Sequence, residues 1–195
     1  MASAGKAGMK FLSRWGFGEF HGVIDNTRPY VEQFFTSQGL HHEACDHHPD
    51  PSKGEWFSFT FPGISPETCL EDGQAAWHGT TLFALPSIIR QQKLVPGPAQ
   101  PKGIYCHRQG TASKAQSYMM HTPIGHGLLL APLLRLQVKK WRKVRVDQWL
   151  VDDPSNCSIE KVYIRVVCMS DLEPGREWLT MPWMDRELRQ GLPWD

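Results

Sequence analysis

The sequence predicts an α+β fold, and three observations carry that expectation. Apolar residues recur at helical spacing in short windows near the N-terminus and in the middle of the chain. Between those windows lie short runs of strand length, and from Leu128 onward the chain turns β-rich without interspersed helices. At 195 residues the chain is long enough to bury a substantial core, and one principal domain is the default at this length. Hydrophobic content of 41% against 21% charged residues excludes wholesale disorder.

Taken in order, residues 1–20 begin with Gly, Ala and Lys and then bring Phe11, Leu12, Trp15, Phe17 and Phe20, an aromatic stretch expected to dock. Asn26 and Thr27 before Arg28–Pro29 make a helix start, with a capping side chain and an early proline. Tyr30, Val31, Phe34 and Phe35 continue it at helical spacing, and Gly39 provides the stop. The polar residues 40–54 read as a loop. Trp56, Ser58 and Thr60 alternate with Phe57, Phe59 and Phe61, a strand with an aromatic face ended by Pro62–Gly63. Ala75–His78 is a short strand. The window Leu82–Lys93 is helical, starting near Pro86 because a proline does not sit inside a regular helix. Gly103–Cys106 is a second short strand and Ala112–Met120 a second helix after it. Leu128–Val138, Val144–Val151 and Val162–Met169 read as three strands, with Asp153–Pro154–Ser155–Asn156 as the turn before the last. The polar tail 171–195 is expected to pack back as a short helix around Met184–Arg189. The organisation is thus an N-terminal extension over 1–70, a core over 71–170 and a C-terminal tail.

Several function classes drop out. A net charge of +1 gives no electrostatic reason to expect nucleic acid or an acidic membrane as partner. The longest apolar run, Leu128–Leu134, is interrupted by Pro132 and is too short to span a bilayer. The N-terminus has no continuous apolar core of secretory type; it lacks acidic residues before Glu19, so a transit peptide stays open beside a cytoplasmic or nuclear location. Five scattered cysteines without a CxxC pair favour an intracellular, reducing compartment over a disulfide framework. There is no phosphate loop, Rossmann fingerprint or nucleophile elbow.

Chemistry concentrates in one stretch: Ala76–Trp77–His78–Gly79–Thr80, then Gly103–Ile104–Tyr105, then Lys114–Ala115–Gln116–Ser117–Tyr118. This ordered set resembles the NAD-binding core of the ADP-ribosyltransferase fold, closest to its diphtheria-toxin-like, poly(ADP-ribose) polymerase branch. The resemblance covers roughly residues 74–169. It implies two small antiparallel sheets set roughly at right angles, with NAD as co-substrate bound between them, and a short helix after each of the first two core strands. It further implies that His78 bonds the adenosine-side ribose and that the Gly79 backbone, with Thr80 beside it, meets the nicotinamide carboxamide. Glycine permits that close approach. Tyr105 and Tyr118 would sandwich the nicotinamide ring, a contact worth about 1 kcal/mol beyond burial. Ala115 takes a position where many relatives carry a serine that bonds the carboxamide.

The family's third member is a glutamate that opens a β-strand and stabilises an oxocarbenium-like transition state. The matching strand here runs through Val146–Asp147–Gln148–Trp149–Leu150–Val151, and Gln148 stands at the acidic position. Glutamine bonds a ribose hydroxyl but brings no charge, a loss on the order of a few kcal/mol. Asp147 is expected on the opposite face by strand alternation, unless a bulge intervenes. The resemblance therefore implies a mono-ADP-ribosyltransferase with a protein acceptor, or an inactive NAD- or ADP-ribose-binding or protein-interaction module of the same fold. RNA 2′-phosphotransferases, which also carry an HGT segment, form a second alternative. Their Arg-x-His-x-His element is missing here, where His107 precedes Arg108.

Three other signals have plain readings. His41, His42, Glu43, Cys45, Asp46, His47 and His48 fall within eight residues without a distant ligand pair, so a solvated loop is expected and no metal; the set His41, Cys45, His48 is the one to test. Lys139, Lys140, Arg142, Lys143 and Arg145 read as an exposed hairpin loop, with the NAD diphosphate or a nucleic acid as the functional alternative. Cys106, beside Tyr105, is expected as a buried thiol rather than a nucleophile.

Overall fold

In the computed structural model the described residues are 27–45, 49, 54–62, 72–97, 101–125, 128–168 and 171. Val31, Phe34 and Phe35 share one face of helix α1 (Thr27–Ser37) and are buried there. Gly39, at φ +89°, turns the chain out of the helix, and Leu40 N–H closes back on Phe35 O at 3.2 Å. The segment expected as a loop then forms a three-residue strand, β1 (His41–Glu43), paired with β2 (Glu55–Thr60). No apolar period marks β1; its register is fixed from outside by β2 and by Glu43, which accepts from Thr60 Oγ1 (3.2 Å) and Lys161 Nζ (2.7 Å).

β2 was expected to show one aromatic face, yet Trp56 and Ser58 are buried as well as Phe57 and Phe59. The reason is its place inside the sheet, between β1 and β9. The spine of the fold is the pair β6 (Leu128–Val138) and β9 (Cys157–Cys168), matched from Leu128↔Cys168 to Val138↔Cys157. β6 is a near-continuous Leu-rich run, and Val162 to Val167 of β9 are buried beside it, because both of their faces are covered there. Asp153 starts the predicted turn before β9, its Oδ1 accepting from Ser155 N–H at 2.9 Å.

On its other side β6 is shared by two strands. β3 (Gln74–Gly79) pairs with Leu133–Val138, and β5 (Thr122–Gly125) pairs with Leu128–Leu130. Pro132 falls in the gap between them, the place where a strand interior tolerates a residue with no N–H. Helix α2 (Leu85–Gln91) carries Pro86 in its first turn, as expected, and buries Leu85 and Ile88. β4 (Ile104–Arg108) and α3 (Ala112–Gln116) follow. α3 is shorter than predicted, so Tyr118 lies in the turn after it rather than on a helix.

The last correction concerns the basic run. Trp141–Arg145 is a strand, β7, hairpinned to β8 (Gln148–Val151) through Val146 and Asp147. Trp141 stacks on Trp149 (4.1 Å, 10°) and anchors the strand, while residues 142–145 are exposed. Lysine and arginine on an edge strand keep it from pairing with another chain.

The strand order is β1-β2-β9-β6-β3-β4-β8-β7 with β5 beside β6, all pairings antiparallel. By hydrogen bonding this is one continuous sheet where two separate ones were expected. Its narrowest junction is β3–β4, where only Ala76↔Arg108 and Trp77↔His107 pair and Gln109 N–H adds a bond to the Ala75 carbonyl at 3.1 Å. One face carries the main core with α1 and α2; the other carries a smaller cluster of Trp56, Ala115, Met119, Ala131, Leu133 and Tyr163 beneath α3. Among the described residues no helix is long and apolar enough to cross a membrane. The expectations for residues 1–20 and for a helix at 184–189 lie outside the described residues.

Phe59→Ala removes a fully buried ring that lies 5.2 Å from Phe35. It is expected to cost about 3–5 kcal/mol in denaturant unfolding. Arg142→Ala, which breaks the exposed pair with Asp152, should stay within about 0.5 kcal/mol.

Candidate functional site

The narrow β3–β4 junction is where three of the predicted residues, His78, Gly79 and Tyr105, meet. After Trp77↔His107, a regular ladder would set Gly79 opposite Tyr105. Instead the Tyr105 carbonyl is taken by His78 Nδ1 at 2.7 Å. A carbonyl only accepts, so Nδ1 carries the proton and neutral His78 keeps an acceptor lone pair on Nε2. Burial holds this imidazole below its usual value of 6.5; the bond to Tyr105 raises it and His107 lowers it further. The residue as a whole is half-buried.

Gly79 is set by its neighbours. Thr80 N–H donates to Pro132 O on β6 (3.4 Å), so by strand alternation the Gly79 N–H and C=O point the other way, toward β4. Pro132 cannot return a bond to Thr80, and the Thr80 carbonyl accepts instead from Met120 N–H at 3.1 Å. That bond ties the turn after α3 to the end of β3. A Cβ on Gly79 would run into the Ala115 carbonyl oxygen and come within 2.8 Å of the Tyr118 carbonyl carbon. Ala115 is fully buried for the same reason: α3 lies directly on the glycine.

Beside this contact opens a cavity of about 520 Å³. Its wall comes from His107 on β4, Ser113 and Lys114 on α3, Ser117 and Tyr118 after it, and Arg145 to Gln148 at the β7–β8 turn. Gln148 and His107 are register partners across β4–β8, both over nine-tenths buried, and therefore project on the same face. Asp147 corrects an expectation: it occupies the hairpin turn rather than an alternating strand position, and it rims the same cavity as Gln148. Its carboxylate bonds Lys114 Nζ and Arg108 Nε (2.9 Å for the latter). Lys114 first, then Arg108, hold it below the usual carboxylate range.

Of the residues singled out in the sequence, Tyr118 and Gln148 line the cavity, whereas His78, Gly79 and Tyr105 stand at the strand junction. Tyr118 is 41% exposed, and the ring it meets is His107 (5.5 Å, 34°) rather than Tyr105, whose hydroxyl donates to Pro101 O at 3.0 Å. Thr80 is buried and contributes through its main chain. His107 is the residue that sequence reasoning missed. The available signal was alternation, since a strand that turns Tyr105 toward a face turns His107 toward it too. Burial lowers the His107 imidazole, Lys114 lowers it further, and the Asp147 backbone and carboxylate oppose them.

A second concavity of about 540 Å³ opens at the far end of β3 and β4, around Gln74, Arg108, Arg135 and Trp149. It gathers none of the predicted residues, and Arg135 there is paired with Glu160 at 3.1 Å. Cys106 is fully buried, and burial pushes its thiol up to about 12, so it has no nucleophilic role. Strand β1 sends His41 and His42 to opposite faces, and residues 46–48 lie outside the described residues. Among the described residues no three His, Cys, Asp or Glu side chains gather as metal ligands do.

Gly79→Ala should displace α3, costing about 1–3 kcal/mol in chemical unfolding. Acidification supplies another check. The unfolded imidazoles take up protons near 6.5 while folded His78 and His107 resist them, so stability falls between pH 7 and 5. His107→Phe is expected to shrink that loss in unfolding curves at the two pH values. Compared with known protein families and with curated proteins, the chain matches none, so what the site does rests on its own residues.

Proposed function

We propose that the chain is an NAD-dependent mono-ADP-ribosyltransferase acting on a protein acceptor. In the proposed reaction the nicotinamide–ribose C–N bond breaks, nicotinamide leaves with the bonding pair, and one nucleophile of the acceptor adds to the ribose carbon and loses its proton. The observation that carries this reading is the His78–Tyr105 bond, which takes the place of a ladder bond and turns the Gly79 N–H and C=O into the junction. Those two groups match the donor and acceptor of a carboxamide. Neutral His78 retains Nε2 to accept from a ribose hydroxyl, and Tyr118 offers a half-exposed ring. Gln148, buried at the cavity, bonds a ribose hydroxyl through its amide but adds no charge. Transfer of a single unit fits this better than chain elongation.

One observation favours a second reading, a module that binds NAD or ADP-ribose without turning it over. Among the described residues, Asp147 is the cavity's one carboxylate, and it is already committed to Lys114 and Arg108. The phosphotransferase alternative gains nothing, because Arg108 is spent on the same pair.

Nicotinamide release from NAD separates the readings. A transferase releases nicotinamide slowly, loses most of that release in His78→Ala, and gains roughly 10²–10³-fold in Gln148→Glu. A binding module shows calorimetric NAD binding and no release until Gln148→Glu is introduced. Absence of NAD binding by the wild-type chain rules out both.

A further inference from the structure

β7 closes one end of the sheet, and among the described residues no strand lies along its outer edge. Arg142, Lys143, Val144 and Arg145 are all exposed on it, and Lys139 and Lys140 lead into it from the turn after β6. Among the described residues, Arg142 is the one cation of this strand held in an ion pair, to Asp152. That pair is half-exposed and worth little. Its hydrogen bonds run through Nε, so the Nη groups remain for a second carboxylate. The other nearby carboxylates are committed, Asp147 to Lys114 and Arg108 and Asp153 to the Ser155 N–H. A bulge then re-aims the strand. Arg142 pairs with Leu150 and Lys143 with Trp149, and a regular ladder would continue with Val144 opposite Gln148. Arg145 takes that place instead. Leu150 and Gln148 share one face of β8, so Arg142 and Arg145 share the cavity face while Lys143 lies on the other. Two residues of strand span roughly 7 Å, which is also the step between alternate side chains of a neighbouring strand.

We propose that the β7 edge is a docking site for an extended protein segment with acidic residues at every second position. The segment adds as an outer strand beside Trp141 to Lys143, and its alternate carboxylates meet Arg142 and Arg145 on the cavity face. The cations of this edge repel a second copy of it and offer an uncharged strand no cross-strand partner. Neither obstacle holds for a strand of opposite charge. A nucleic acid fits the surface less well. Trp141 is stacked on Trp149 at 4.1 Å, and the rest of the strand is lysine, arginine and valine, so bases find no free ring to stack on. Arg145 and Val146 also line the cavity beside Gln148, so a segment held on β7 is delivered to that opening. The inference rests on the transferase reading only in making the segment part of the acceptor; the cationic edge and its bulge stand without it.

The test is peptide binding to the full chain, read by fluorescence anisotropy with no NAD present. The probes are two labelled peptides of equal length and charge, one repeating Glu-Thr and the other repeating Glu-Glu-Thr-Thr. The alternating peptide is expected to bind about fivefold more tightly, with an affinity that falls as salt is raised. Arg145→Gln should weaken that binding roughly fivefold, whereas Lys143→Gln, on the opposite face, should change it less than about twofold. Both side chains are exposed, so both variants are expected to fold as the wild type does. Equal affinity for the two peptides overturns the inference, and so does equal sensitivity to Arg145 and Lys143. An RNA oligonucleotide that binds more tightly than the alternating peptide, with the same dependence on Arg145, overturns it in favour of a nucleic-acid site. The two proposals fail separately. Binding that prefers the alternating order, by a chain that neither binds nor cleaves NAD, keeps this surface and removes the transferase. NAD cleavage by a chain indifferent to peptide order does the reverse.

Discussion

The candidate site depends on one substitution of partners: at the point where β3 and β4 stop pairing, a side chain replaces a main-chain donor. The ladder holds for Ala76↔Arg108 and Trp77↔His107 and then gives way to the bond from His78 Nδ1 to Tyr105 O. A buried carbonyl must find a donor, so the strands cannot separate without some such replacement. Because the imidazole provides it, the strands part while the sheet stays hydrogen-bonded across the junction. The consequence falls on Gly79, whose main-chain groups face a strand that no longer answers them. The proposed carboxamide contact uses that separation.

A second constraint, less visible, holds the opposite wall in place. Pro132 lacks an N–H, and it sits on β6 where β3 ends and before β5 takes over. The Thr80 carbonyl is therefore free to accept from Met120, and this bond draws the turn that carries Tyr118 over Gly79. With Ala115 packed on the glycine, α3 is placed by contact on one side and by a hydrogen bond on the other. A proline in the longest apolar run thus acts at a distance of two strands on the residue that covers His107.

Much of the coarse fold was legible because local chemistry agreed with the final structure. Pro86 began its helix, Gly39 ended another, and the long Val-, Ile- and Leu-rich runs became the paired central strands. What was missed was set from outside the segment. β1 has no apolar period and exists because β2 lies beside it. The basic run became a strand since its hairpin turn fell at Val146 and Asp147, two residues with no turn signature of the Asn-Gly kind. The same displacement moved Asp147 from an alternating strand position to the rim of the cavity. In the site, His78, Gly79 and Gln148 stood out by their order, and His107 did not. Its place on the cavity wall comes from the β4–β8 register opposite Gln148, which a sequence does not display.

Charge is the quantity that distinguishes this cavity. Burial disfavours the charged forms of His78 and His107, Gln148 is neutral by constitution, and the one carboxylate, Asp147, is outnumbered by Lys114, Arg108 and Arg145. In NAD the nicotinamide ring is a pyridinium cation, and it becomes neutral when the bond to ribose breaks. A wall without a free carboxylate favours the neutral ring over the cation, and that preference lowers the barrier only to the extent that charge has left the ring in the transition state. The developing charge on the ribose then has no carboxylate to meet it, since Gln148 offers only an amide dipole. On the proposed chemistry, such a site helps the leaving group depart while giving little to the cation left behind, which fits slow, single transfer and not rapid polymer growth.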